Sequence, residues 1–466
     1  MQFRIRHIFI VFIIVIFNLR CTEKKESSMI FTGAPGEVRL ITLDPGHFHA
    51  ALVQKSMYDQ VNPNVHIYAP SGPDVQDHID RINNYNSRAD NPTQWELKVY
   101  TGDDFLERLV QEKPGNVVVI SGKNQFKTQY IRTVVNAGLN VLADKPMCIN
   151  KTGFDELNAA FAKADQKNVL IYDIMTERYE ITTVLQKALS QIPEVFGALQ
   201  SGTPENSAVT KESVHHFFKN VSGNPLKRPA WFMDVSQQGE GLVDVTAHLV
   251  DLIQWECFPD VSLDTTDVSI ISAKRWPTIM TKQQFIEATR LSDFPDYLQS
   301  KLNANGELPV YSNGEFIYTL KGVYAKVSVS WNYRAPEGAG DTHYSIMRGT
   351  KSNLVIRQGK AQNYRPELYV EIPDAKIAEN LEQAMNKAIS DLQPRYPGIS
   401  VDKTKSGWHI NIPDEFRVGH EAHFAQVTEK YLQYLIDGKL LDWETPNMIT
   451  KYYTTTAALE YALMKN

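Results

Sequence analysis

Two hydrophobic periods divide the chain from Glu37 onward. In the first part, short apolar runs alternate with segments whose apolar residues recur every three or four positions, the marks of strand and helix. The runs are "EVRLITL", "VHIYAP", "WELKVYTG", "NVVVIS", "NVLADKP" and "VLIYDIM". The helical segments are "HFHAALVQKSMYD", "DDFLERLVQE", "QFKTQYIRTVVNAG" and "FDELNAAFAKADQKN", and Gly138 stops the third of them. This alternation predicts an α/β, Rossmann-type doubly wound parallel sheet over residues 37–175, with ligands at the carboxyl ends of its strands.

After Met175 the texture changes. "TTVLQKALSQI" reads as a helix and "VFGALQSG" as a strand. "DVSIISAKRW", "EFIYTLKGVYAKVSVSWNYR", "THYSIMRGTKSNLVIRQG" and "ELYVEI" alternate with period two, as in a half-buried antiparallel sheet. "FPDYLQSKLNANGELPVYSNGE" is expected to be an inserted surface excursion, and the tail is helical. Residues 176–466 are therefore predicted to form an α+β substrate and oligomerisation domain with a mostly antiparallel sheet and C-terminal helices.

The first 28 residues break the pattern. Arg4 and Arg6 precede an apolar stretch from Ile8 to Phe17, then Cys21 and a polar tether. That order resembles a bacterial lipoprotein signal, although Asn18-Leu19-Arg20 is bulkier than the usual residues before the cysteine. An exported chain held at the periplasm or outer membrane by a lipid on Cys21 is expected. Cys148 and Cys257 have no metal-ligand or disulfide spacing and are read as buried thiols. With 466 residues, 42% hydrophobic, 22% charged and a net charge of −6, the chain is globular and an unsuitable partner for nucleic acid.

Candidate chemistry gathers in three stretches. "LDPGHFHA" puts Gly46, His47 and His49 at the first strand–helix turn, with one glycine where a dinucleotide fingerprint has three. It reads as a diverged dinucleotide turn, a plain βα loop or a metal site. Metal is the least favoured, because two histidines two positions apart in a helix do not share a face. "NVLADKPMC" ends a parallel strand with Asp144, Lys145 and Pro146. "QQGEGLVDVTAHLVDLIQW" spaces Asp244, His248 and Asp251 along one helical face, with Gly239 and Gly241 ahead allowing close approach of a ligand.

These motifs together resemble the Gfo/Idh/MocA oxidoreductase family, with Asp-Lys-Pro in place of Glu-Lys-Pro and a closely fitting Gly…Asp…His…Asp helix. The resemblance implies a dinucleotide cofactor over Gly46, His47, His49, Ser121, Asp144, Lys145 and Pro146. It also implies catalytic roles for Lys145, Asp244 and His248, and a homo-oligomer. On residue types, His248 serves as base, Asp244 orients its ring and Lys145 stabilises the substrate oxygen. NAD is expected over NADP, because no arginine follows the second strand to hold a 2′-phosphate.

Arg178, Tyr179, His215, His216, Trp231 and Asp251 are candidate sugar contacts, whereas His409, His420 and His423 are expected to be structural or interfacial. The expected activity is NAD-dependent oxidation of a ring hydroxyl of a sugar or glycoside to a keto-sugar. The alternatives are a redox-neutral NAD-dependent glycosidase and a non-catalytic carbohydrate-binding lipoprotein. Export sets a condition: free dinucleotide is cytoplasmic, so the cofactor would have to be tightly bound.

Overall fold

The computed structural model describes residues 30–221, 224–373 and 378–465, so the signal-like segment and Cys21 lie outside the described residues. Six strands form the first sheet: β1 (Leu40–Leu43), β2 (Asn64–Ala69), β3 (Glu96–Thr101), β4 (Val117–Ile120), β5 (Asn140–Asp144) and β6 (Ile171–Ile174). Their order is β3-β2-β1-β4-β5-β6, and every neighbouring pair is parallel. The chain reverses direction across the sheet between β1 and β4, which opens a crevice at their carboxyl ends. β1, β4, β5 and β6 are buried along their whole length, which is why they read as mainly apolar runs without alternation.

The helix after β1 departs from its sequence reading. Only His49–Leu52 is helical, and His47 precedes it. The stretch of thirteen helix-patterned residues gives one turn: the Gln54 and Lys55 N–H groups donate to Ala51 and Leu52, three residues back, and the Gln54 carbonyl accepts from the Trp95 indole at 2.6 Å instead of continuing the helix.

The second sheet has nine strands. From one edge to the other they are Val268–Met280, Leu308–Leu320, Val323–Arg334, Val209–Phe218, Thr342–Arg348, Asn353–Arg357, Glu367–Glu371, Gly407–Asn411 and Ser400–Lys403. Neighbours are antiparallel except Val209–Phe218 beside Val323–Arg334. Only the end of the expected excursion joins this sheet, in the strand Leu308–Leu320, while Phe294 and Leu298 before it enter an apolar cluster with Leu308, Phe217 and Trp331. "VFGALQSG" makes only isolated bridges, Leu199 to Gly349 and Gly202 to Ser207. The strand lies further on, in Val209–Phe218.

Two C-terminal helices, His420–Asp437 and Glu444–Lys465, return to the first domain. Phe424, Val427, Tyr431 and Tyr452 share one core with Ile41, Val118 and Val141. Both ends of the chain therefore build the first domain, and the start of the first helix is carried over the strand ends.

Candidate active site between the two domains

A cavity of about 820 Å³ lies over the carboxyl ends of the parallel strands, roofed by the second domain. Four of the six strands contribute at or beyond their carboxyl ends: His47 and His49 after β1, Asn124 after β4, Asp144 and Lys145 at the end of β5, and Glu177 after β6. Asp244 and His248 come from the second domain, at and just before the helix Thr246–Cys257, and His420 and His423 from the C-terminal helix.

Lys145 and Asp244 meet across the cleft. The Lys145 ammonium donates to Asp244 Oδ1 at 2.8 Å, and Gln238 Nε2 donates to Asp244 Oδ2 at 3.1 Å. Burial works against the charge on Lys145, but Asp244 and then Asp144 outweigh it and raise its pKa. His248 is pushed well below the ordinary imidazole value, first by burial and then by the Lys145 charge. Its ring is therefore neutral near pH 7, with a free lone pair, and is a weaker base than an ordinary imidazole until a neighbouring negative charge develops. Asp244 does not orient that ring: both its oxygens have other partners, and His248 Nδ1 has none among the described residues.

On the floor, His47, His49 and Asp144 form a second cluster. His49 Nδ1 stands 3.0 Å from Asp144 Oδ2 and His47 Nδ1 stands 3.7 Å from it. The Ser121 hydroxyl donates to Asp144 Oδ2 at 3.0 Å, and buried Lys127 donates to the Asp144 carbonyl at 2.8 Å. Burial alone would raise the Asp144 carboxyl, yet His49, Lys127 and His47 hold it well below its usual range. His47 is pushed down by burial and by His49.

The other expected site residues divide. His215 lines the cavity, stacked on Trp331 at 4.9 Å between centroids, with Nδ1 2.9 Å from Asp341 Oδ2. His216 is buried behind it at 3.3 Å from Asp341 and does not reach the cavity. Arg178 and Asp251 are a correction. The Arg178 guanidinium grips Asp251 at 2.6 and 2.7 Å and Glu444 at 3.0 Å, while Lys451 bridges Asp251 and Asp173 at 2.8 and 2.7 Å. This buried network ties the helix Thr246–Cys257 to the C-terminal helix and leaves neither residue for a substrate. Tyr179 packs against the first core, also off the cavity. Trp231 is 5% exposed, with Nε1 donating to Asp74 at 3.1 Å. Gly239 and Gly241 admit the protein itself: a Cβ on Gly241 would stand 2.0 Å from the Ser312 carbonyl oxygen, and one on Gly239 2.7 Å from Ile149.

Sequence reasoning passed over Glu177, the first residue of "ERYE", in favour of its two neighbours. The short 3-10 turn Thr176–Tyr179 sends Arg178 inward and leaves Glu177 on the cavity wall. Burial and Glu180 raise its pKa to about 7, with Lys145 opposing. His420 and His423 also line the cavity, which corrects their structural reading; burial holds them at about 3 and about 4. Nothing in the local pattern places them there, because their position depends on the C-terminal helix folding back.

A doubly wound domain whose strand ends carry an Asp-Lys-Pro turn, closed by an antiparallel-sheet domain, defines a two-domain oxidoreductase of the dinucleotide-binding fold. Residues 63–172 match the family described as "Oxidoreductase family, NAD-binding Rossmann fold", and residues 185–463 match "Putative oxidoreductase C terminal domain". The chain belongs to the Gfo/Idh/MocA oxidoreductase family. A "putative oxidoreductase" from Parabacteroides merdae is 54% identical over 94% of this chain and 100% of its own, with a TM-score of 0.92. At fold level the chain is similar to a levoglucosan dehydrogenase solved with NADH and L-sorbose (13% identity, 92% and 97% covered, TM-score 0.57). It is also similar to a 3-ketoreductase from Actinomadura kijaniata solved with NADP (13%, 91% and 97%, TM-score 0.55). No curated protein sequence matches the chain.

An NAD-type cofactor is what this family's first domain takes. The strand-end crevice suits it, but the first turn does not supply the usual seat for a pyrophosphate. The Gly46 and His47 N–H groups, which would point at the phosphates, donate to the Ser121 carbonyl at 3.1 and 3.2 Å. A Cβ on Gly46 would meet the Trp231 ring at 3.3 Å and the Asp74 carboxylate at 3.4 Å, so those groups fill the space beside it. Asp44 and Asp74 add two carboxyls there, both raised by burial. The Rossmann match itself starts at residue 63, beyond β1 and this turn.

Proposed function

We propose that the chain is an enzyme acting on a ring hydroxyl of a sugar or glycoside, oxidising the carbinol to a keto-sugar. The observation that carries this reading is the Lys145–Asp244 pair sharing one cavity with a neutral His248. His248 takes the hydroxyl proton. Lys145, kept charged and aimed by Asp244, donates to the same oxygen and stabilises its developing negative charge. His215 and Asp341 offer polar groups for the neighbouring hydroxyls. The family's cofactor would supply the hydride acceptor, NAD before NADP. Sugar enzymes of the same fold, the levoglucosan dehydrogenase among them, add support. Export with a lipid on Cys21, a tightly held cofactor and a homo-oligomer remain part of this proposal.

The filled turn favours a second reading, redox-neutral acid–base cleavage of a glycoside at the same site, with Glu177 or His248 moving the proton. One incubation separates the two. The full chain is given glycosides and NAD, and keto-sugar, reduced nicotinamide and free aglycone are quantified. Keto-sugar matched by reduced nicotinamide supports the oxidation. Aglycone without reduced nicotinamide supports the second reading. Neither product from any glycoside contradicts both.

A further inference from the structure

We propose that His47, His49 and Asp144 bind one divalent transition-metal ion on the floor of the cavity. Two imidazoles and a carboxylate are a donor set suited to Zn²⁺, Fe²⁺ or Mn²⁺. Their candidate ligand atoms all lie within 4.8 Å of one another. Ligand atoms on a tetrahedral ion with bonds of about 2.0–2.2 Å stand roughly 3.3–3.6 Å apart. The separations of 3.0 Å from His49 to Asp144 and 3.7 Å from His47 to Asp144 bracket that spacing; an ion seated there would replace the present His49–Asp144 contact and the hydrogen bond at 3.3 Å that His47 Nδ1 accepts from the His49 backbone N–H.

The objection to two histidines at this spacing disappears once His47 is seen to precede the helix. The rings then stand 4.1 Å apart between centroids and 86° to one another. Support for the carboxylate is in place: the Ser121 hydroxyl donates to the same oxygen and Lys127 pins the Asp144 backbone. All three ligands line the cavity, which leaves the ion an open side toward a bound molecule. Three protein ligands with an open position are the arrangement of a catalytic rather than a structural ion, and such an ion polarises a hydroxyl or carbonyl oxygen. The inference stands on this geometry alone.

The test uses untagged full chain, stripped with chelator and titrated calorimetrically with Zn²⁺ and with Mn²⁺; Co²⁺ loading is followed by visible absorption. One ion per chain is expected, with ligand-field bands from Co²⁺ in a nitrogen–oxygen site. His47→Ala, at a partly exposed position, should weaken binding roughly 100-fold while circular dichroism and the melting point of the stripped protein stay unchanged. Asp144→Asn should weaken it as much, but Asp144 is buried and its loss can damage the fold, so His47→Ala decides. Stoichiometric binding of equal affinity in wild type and His47→Ala, or no binding by wild type, overturns the proposal.

Discussion

Glu177 shows how position decides what a carboxyl can do. Partly buried beside Glu180, it has a pKa raised from 4.5 to about 7. A raised carboxyl is harder to ionise in the fold than in the unfolded chain. Its contribution to stability is therefore present below pH 4.5 and lost as pH climbs through about 7. Glu177→Gln should accordingly raise the melting temperature at about pH 8 and change it little at about pH 5, because the amide never ionises. Equal offsets at both pH values would contradict the assignment. Lys145, Asp144, Asp244 and His248 were legible in the sequence because each sits at a strand end or in a Gly-flanked helix start. Glu177 was not, since the direction of a side chain in a four-residue 3-10 turn leaves no periodicity to read.

Among the elements, the helix Thr246–Cys257 serves two purposes. Asp244 and His248, at its start, face the cavity, while Asp251 turns away into the network of Arg178, Glu444, Lys451 and Asp173. The i, i+4, i+7 spacing was real, but it could not reveal that the last member meets a guanidinium inside the protein. Arg178→Met would leave Glu444 and one side of Asp251 without a counter-charge. Chemical denaturation should show a loss of about 3–5 kcal/mol, toward the lower end because Lys451 still pairs with Asp251. A change below about 0.5 kcal/mol would show that the network does not hold the helix.

The strands were legible in proportion to the regularity of their burial. β4 is apolar throughout and β5 apolar at its centre, and both are wholly buried and were plain. Val209–Phe218 was missed because its core position Lys211 is charged, with Glu256 as its buried partner. The first half of the strand Leu308–Leu320 was taken for an excursion because Pro309, Asn313 and Gly314 interrupt its alternation, whereas its second half, from Glu315, was read as a strand.

For the whole molecule, the active site belongs to neither domain alone. The first domain brings Lys145 and Glu177, the second Asp244 and His248, and the C-terminal helix His420. The sequence disclosed the two sheets separately, because each has its own period. It did not disclose how the chain's end closes the first core, or that Trp231 of the second domain fills the space beside Gly46 of the first. Such contacts between distant segments carry no local pattern. The central claim is that Lys145 and Asp244 meet across the cleft to do chemistry on a sugar oxygen. Turnover of a glycoside by wild type and by Lys145→Met, which keeps the stem and removes the donor, tests it most directly. Turnover is expected to fall by roughly two to four orders of magnitude at a temperature where circular dichroism shows the variant folded; its melting temperature should also fall, because buried Asp244 loses its counter-charge. Turnover within about twofold of wild type would contradict it.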